Sequence, residues 1–596
     1  MFPSLRGRGR FLILGLAVTL TLFYYMTHSS VSHSYKYRPA WIPSDPNSET
    51  ARLEKYMNDG PSLTTTSPRK SSFDWSSVKF AYPPVNPVSL PRGARKLPPV
   101  QHIFKEERPA ETEKREARRR EVKKLFQKNW QSYRKHAWGK DALQPVSGTF
   151  KDQFSGWAAT LVDAVDTLWI MGLREEFDEA VAYVAGIDFG KSSTGRVNMF
   201  ETTIRYLGGL LSAYDLSKRE VLLQKATELG DLLYAGFNTE NRMPVDFIDF
   251  EKAKTGAELL VESNVVSASP GTLSMEMTHL SQVTGDSKYY DAVLGVMRTF
   301  AAGQDKTRIP GVWPIYVSMM TKDVSSGLQF TLGGSADSLY EYLPKMHALL
   351  GGGEPMFESM SKKFLKAASE NFFFRPMLPN EDDILISGAV NAPFDIDEPP
   401  TLDPESEHLT CFIGGTVALG GKLLGQEWDV QTGARLAKGC AYVYKSFPTG
   451  IGPERWNMIP CEPVRAPECK WNETKWNKEK VKQSRYLEHL PKGFTTAKDP
   501  RYLLRPEAVE SLFVLYRMTG EIWYQDAAWD MFKSIAEGTA TEFANAAVLD
   551  VTKDLEHLPQ EDYMEVRFFL LQFSCQEKVL ANRRDSKTDY FFRAFG

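Results

Sequence analysis

From about residue 120 onward, apolar side chains recur every three to four positions, and the strict alternation expected of half-buried strands is scarce. Val122, Leu125, Phe126, Trp130 and Tyr133 make one stripe, Phe200, Ile204, Leu207, Leu211 and Tyr214 a second, and Val509, Leu512, Phe513 and Tyr516 a third. Each predicts an amphipathic helix with its apolar face turned to a core. A basic run at 114–124 leads into the first stripe and reads as the solvated face of that helix. The stripes also repeat. Leu280 to Thr284, Gly285-Asp286 and Tyr289 to Ala292 match Leu515 to Thr519, Gly520-Glu521 and Tyr524 to Ala527. Both units read helix, glycine stop, acidic restart, helix, and Tyr214-Asp215-Leu216-Ser217 ends a looser third copy. Recurring helical hairpins imply an all-α fold, either an open solenoid or a closed ring with a central cavity. Spacing does not choose between them.

The pattern changes before residue 120. Arg6, Arg8 and Arg10 precede an uncharged, largely apolar run at 11–26, with no small-residue cleavage site after it. This predicts a type II signal anchor: residues 1–10 cytosolic, 11–26 in the membrane and everything later lumenal. Residues 27–115 are rich in Pro, Ser, Lys and Arg and read as a mostly disordered stem that carries a globular domain at 116–565. The five cysteines all lie in the last third, and an oxidising lumen permits Cys411, Cys440, Cys461 and Cys469 to form two disulfides in any of three pairings. Cys575 is left over, and Asn472-Glu473-Thr474 is a glycosylation sequon suited to a lumenal surface. A formal charge of -3 argues against a nucleic-acid partner, which selects a basic face.

Carboxylates supply the candidate chemistry. Glu201 and Arg205, four apart, share a helix face in Phe200-Glu201-Thr202-Thr203-Ile204-Arg205, beside a small Gly208-Gly209 step. Such pairs are common on surfaces, but the apolar neighbours favour a buried site. Glu507 follows Arg505-Pro506 and precedes Glu510 by about one turn; a helix start explains one acid there, not two acids and an arginine. Glu276 is a further acid on an apolar stretch. Gly333 to Leu343 reads as a loop entering a helix, with Asp337 or Ser338 as its cap and Ser338 with Glu341 as a capping box. His408, three residues before Cys411, is expected to pack or hydrogen-bond near a disulfide. No Ser/His/Asp order, phosphate loop or nucleotide fingerprint competes with these acids. Acid/base hydrolysis of a glycosidic bond is the reading they favour, with Trp and Tyr available to stack on sugar rings.

Several stretches, in order, resemble the class I α-1,2-mannosidases of glycoside hydrolase family 47: Gly156-Trp157 to Leu173, Phe200-Glu201 to Tyr214, Ala336 to Leu343, His408-Leu409-Thr410-Cys411 and Leu504-Arg505-Pro506-Glu507 to Ser511. The resemblance implies an (α/α)7 barrel, expected as a monomer. It would trim α-1,2-linked mannose from high-mannose N-glycans with inversion and Ca2+, in the endoplasmic reticulum or Golgi. It implies Glu201 as general acid, Glu507 as general base and Asp337 as the third carboxylate. Arg205, Glu276, His408, Arg505, Pro506 and Glu510 would form the sugar-pocket floor, and Cys411–Cys440 the family disulfide.

Two departures qualify that picture. After Tyr563-Met564-Glu565 this chain reads Val566-Arg567-Phe568-Phe569-Leu570 in place of the family's last helix, so 566–596 is a divergent tail without the calcium-binding threonine. A barrel incomplete at its C-terminal helix, with weak or no turnover, is the resulting expectation. A binder of high-mannose glycans in quality control is the alternative. Secondly, Ser335 stands where members that remove a single mannose carry arginine, which implies less selective trimming.

Overall fold

Helical hairpins follow one another around a ring. A computed structural model describes residues 69–93, 95–464, 466–482, 490–555 and 558–565, all in the compact unit Tyr56–Gly596. The first helix, α1 (Pro109–His136), is followed by six hairpins: α2/α3 (Ala159–Ile170, Arg174–Ala185), α4/α5 (Gly208–Ser217, Glu220–Ala235), α6/α7 (Ser274–Thr284, Lys288–Gly303), α8/α9 (Asp337–Leu349, Pro355–Asn371), α10/α11 (Ile413–Leu424, Glu427–Ser446) and α12/α13 (Glu507–Thr519, Ile522–Gly538). The first helix of each hairpin touches the first helix of the next, and these make an inner layer. The second helices lie outside. The repeat legible in the sequence is the hairpin turn itself. Gly285 and Gly520 take left-handed backbone (φ 76° and 75°), and their N–H groups close on the Ser281 and Tyr516 carbonyls.

Closure is decided by α1. Arg118 pairs with Asp526 on α13 at 2.7 Å, and Arg134 with Glu179 on α3 at 2.7 Å, so α1 bridges the last hairpin and the first in the outer layer. This also corrects the basic run. Arg115 is buried against Glu107 at 3.0 Å, and Arg118 lies 5.2 Å over the Trp529 ring, because a wedged helix meets protein on both flanks.

The inner helices are unusually close where small residues permit. A Cβ on Gly209 of α4 would lie 2.5 Å from the Val162 carbonyl of α2, so the glycine step is packing, as its apolar company suggests. Short strands connect the hairpins. β1 (Gln329–Phe330), β2 (Ala389–Asn391) and β3 (Thr401–Asp403) form a sheet in the order β3-β2-β1. β4 (Glu405–Glu407), β5 (Arg455–Met458) and β6 (Phe494–Asp499) form a second, antiparallel, in the order β4-β5-β6. Most are too short to leave a period-two signal.

The stem expectation fails for residues 69–108, which lie along the hairpins as a strap. Trp75 is buried, donates to the Phe189 carbonyl at 2.8 Å and meets the Phe250 ring edge-on at 5.3 Å. Further along, Tyr82 N–H reaches Asn238, Val88 N–H reaches Asp291, Arg95 N–H reaches the Gly351 carbonyl and His102 N–H reaches the Arg517 carbonyl. Pro-rich sequence hides this because an extended segment borrows its hydrogen bonds from elsewhere and shows no period of its own. The expected anchor at 11–26, the tail from 566 and Cys575 lie outside the described residues. Among the described residues no helix is long and apolar enough to cross a membrane.

If the strap is integral to the ring, Trp75→Ala should cost about 3–5 kcal/mol, as for other buried aromatics. Chemical denaturation reads this directly; an unchanged midpoint would show that the strap adds nothing to the fold.

Candidate active site

Four inner segments begin at the same end of the ring, and each carries an acid in its first turn: Glu201 in the turn Met199–Glu201 ahead of α4, Glu276 in α6, Asp337 in α8, and Glu507 with Glu510 in α12. Helix N-termini carry partial positive charge and favour carboxylates, which makes this convergence tolerable. They surround a cavity of about 500 Å³. Its walls hold nine acids, Asp166, Glu201, Asp246, Glu276, Asp337, Glu341, Glu507, Glu510 and Glu565, against three cations, Arg205, Lys345 and Arg505. Every residue expected in a sugar pocket lines it except His408, which stands behind Glu507. Among the described residues no tryptophan lines it. The aromatic walls are Phe200, Phe247, Tyr342 and Phe412, whereas Trp75, Trp130, Trp313 and Trp456 are buried in the core.

On one side, Asn198 Oδ1 accepts the Glu201 N–H at 2.8 Å and fixes where that turn begins. A π-helical turn, Thr202–Leu207, follows, with the Thr203 hydroxyl bonded back to the Met199 carbonyl at 2.8 Å. Arg205 Nε donates to Glu201 Oε2 at 2.8 Å. The surface-pair reading is excluded: Arg205 is 7% exposed. Burial works against its charge, but Glu565, Glu201 and Asp163 more than offset it.

On the other side, Glu507 Oε2 lies 3.1 Å from His408 Nδ1, and His408 Nε2 lies 2.7 Å from the Tyr444 hydroxyl. Burial keeps that phenol protonated. The tautomer assigned from these partners has Tyr444 donating to Nε2 and Nδ1–H donating to Glu507. The Cys411–Cys440 disulfide ties the turn His408–Phe412 to α11, the helix that carries Tyr444. Arg505 Nε donates to Glu454 Oε2 at 2.6 Å, and Leu504 just before it holds a left-handed φ of 60°. Ser335, also on the cavity wall, has φ 79°. Strained non-glycine backbone at two points of one cavity marks a constrained site.

Asp337 is the first residue of α8, after Ala336, and its Oδ1 accepts the Ser338 N–H at 2.9 Å. The expected capping box does not form. Ser338 accepts from Thr272, and Glu341 turns inward to Lys345 at 2.5 Å. Beside them, the Tyr342 hydroxyl donates to Glu276 at 2.6 Å. Burial and the adjacent Glu341 push the Glu510 carboxyl well above the usual range, which favours its protonated form beside Glu341. These residues do not fit a divalent cation. The Lys345 ammonium already answers Glu341, Glu510 and Glu276, and no group of three or more His, Cys, Asp or Glu among the described residues is arranged for a metal.

Sequence reasoning missed Asp166, Asp246, Lys345, Glu454 and Glu565. Asp163 and Asp166 sit in the apolar stretch of α2, the same signal that singled out Glu201. Glu454 and Glu565 lie in irregular segments where no period flags an inward acid. The second disulfide, left open before, joins Cys461 and Cys469. Asn472 is exposed, and its Oδ1 caps the short helix Glu473–Val481.

A ring of helical hairpins enclosing an acid-lined cavity defines a glycosidase-type helical barrel. Residues 125–571 match the model of glycosyl hydrolase family 47, and the chain belongs to that family. It is 31% identical over 446 residues to the probable mannosyl-oligosaccharide alpha-1,2-mannosidase 1B of Aspergillus fumigatus, covering 72% of this chain and 83% of the relative. It is also 31% identical over 479 residues to the human endoplasmic reticulum mannosyl-oligosaccharide 1,2-alpha-mannosidase, covering 78% and 62%. Among solved structures, the alpha-1,2-mannosidase from Trichoderma reesei superposes with a TM-score of 0.69 at 27% identity, over 78% of this chain and 94% of that one.

The protonated Glu510 has a thermodynamic signature. Its folded value lies above its unfolded one, so between the two the folded state holds a proton that the unfolded state lacks, and stability falls as pH rises through that window. Glu510→Gln should flatten that decline from about pH 5 upward. Denaturant midpoints measured from pH 5 to 8 decide it, and parallel curves for the two proteins would sink the assignment.

Proposed function

We propose that this protein hydrolyses terminal α-1,2-linked mannose from high-mannose N-glycans, with inversion. The observation that carries this reading is the pair Glu201 and Glu507, each held in its own hydrogen-bonded frame on the wall of one cavity. Glu201 gives its proton to the leaving glycosidic oxygen as the bond from the anomeric carbon breaks. A water attacks that carbon, and its proton passes to the Glu507 carboxylate, which the His408 N–H orients. Asp337 positions the sugar between them. Arg505 stays charged because Glu454 and Glu507 more than offset its burial, and it offers donors to sugar hydroxyls.

The ring is read as an (α/α)7 barrel. The thirteen helices that make up the ring, α1 to α13, leave the inner partner of α1 without a counterpart among the described residues. Calcium is what the family implies, but the described floor is served by Lys345, so no step is assigned to the metal. A monomeric domain in the lumen of the endoplasmic reticulum or Golgi, anchored through residues 11–26 and glycosylated at Asn472, is part of the same proposal.

Glu507→Ala separates this reading from a glycan-binding protein that does not cleave. The expected result is turnover reduced by a factor of 10² or more, with high-mannose binding retained by calorimetry. Binding without turnover in either form would instead establish the binder. The open wall at Ser335 predicts trimming of a nine-mannose glycan past eight residues, and Ser335→Arg should narrow the products. Chromatography that shows the unmodified protein stopping at a single eight-mannose isomer would contradict this.

A further inference from the structure

Arg205 donates to Glu201 at 2.8 Å, and taken alone that contact is wrong for a proton donor, because an adjacent guanidinium favours the ionised carboxylate. The rest of the surroundings compete for that guanidinium. Arg205 Nη1 lies 3.2 Å from Glu565 Oε1 and 3.9 Å from Asp163 Oδ2, beneath the Phe154 ring at 4.8 Å from the guanidinium carbon. One cation thus faces three carboxylates, Glu201, Glu565 and Asp163, and its charge is divided among them. Asp163 is 1% exposed, and Glu565 receives the Tyr563 hydroxyl on its other oxygen. Glu565 also supports the charge of Arg505, so it lies between the acid half and the base half of the site. Glu201, with 27% of its side chain exposed toward the cavity, is where a proton is useful.

We propose that Glu565, with Asp163 behind Arg205, is a positioning residue for proton transfer: it takes up the Arg205 guanidinium so that Glu201 can hold the proton it delivers. This rests on reading Glu201 as the acid. The charged and titratable groups around Glu201 are Arg205 on its own segment, Asp163 and Asp166 on α2, Tyr563 and Glu565, and on the other cavity walls Asp246, Glu276, Asp337, Glu341, Lys345, Arg505, Glu507 and Glu510. Removing the Glu565 charge deletes a neighbouring negative charge and leaves Arg205 more fully to Glu201, and both changes favour ionised Glu201.

The test titrates the Glu201 carboxyl by NMR in the full chain labelled with 13Cδ-glutamate, the signal being identified by its loss in Glu201→Gln. In Glu565→Gln the midpoint is expected to fall by about one pH unit, with Glu565→Asp restoring most of it and Asp163→Asn giving a smaller fall. The alkaline limb of kcat/KM for mannoside hydrolysis should move the same way. A midpoint that stays or rises in both Glu565→Gln and Asp163→Asn overturns the proposal. If Glu565→Gln fails to fold, Asp163→Asn alone decides. A chain that hydrolyses no mannoside but shows the fall refutes the proposed activity and still supports this charge arrangement.

Discussion

Everything in this molecule depends on several inner helices beginning at one end of the ring, with carboxylates in their first turns. Helix dipoles, buried arginines and a lysine make that concentration of negative charge tolerable. Arg205 serves Glu201, Arg505 serves Glu454 and lies near Glu507, and Lys345 serves Glu341. Without those cations the cavity would take up protons or flood. With them, each acid has a distinct environment, which is how similar carboxyl groups acquire different tasks.

The scaffold fits that constraint. Close approach at Gly209 brings α2 and α4 together, and a π-helical turn follows Glu201 in the run that carries Arg205. The Cys411–Cys440 bond and Tyr444 fix His408, which fixes Glu507. Outside, α1 and the strap of residues 69–108 tie hairpins that are far apart in sequence. Rigidity thus comes from connections between repeats, while chemistry comes from what the repeats point inward.

Where reading and structure part, the cause is that some contacts have no local signature. Arg115 and Arg118 sit in a charge run that looks solvated, yet both are buried, Arg115 against Glu107 at the end of the strap and Arg118 against α13, about 400 residues away. Ser338 and Glu341 have capping-box spacing, but Lys345 and Glu510 offer Glu341 stronger partners. Tryptophan suggested a sugar platform, but Trp75, Trp130, Trp313 and Trp456 fill the core instead, where large flat rings bury the most area.

By itself the sequence determined the helical period, the hairpin repeat with its glycine stops, and the acids at 201, 276, 337, 507 and 510, because these are encoded over a few residues and obey local rules. Only the tertiary structure decided that the ring closes through α1, that residues 69–108 belong to it, which cysteines pair at 461 and 469, and that Glu454 and Glu565 stand on the cavity's arginines. Those outcomes depend on long-range approach and on how charges share a low-dielectric space, and neither is written in the spacing of neighbouring residues.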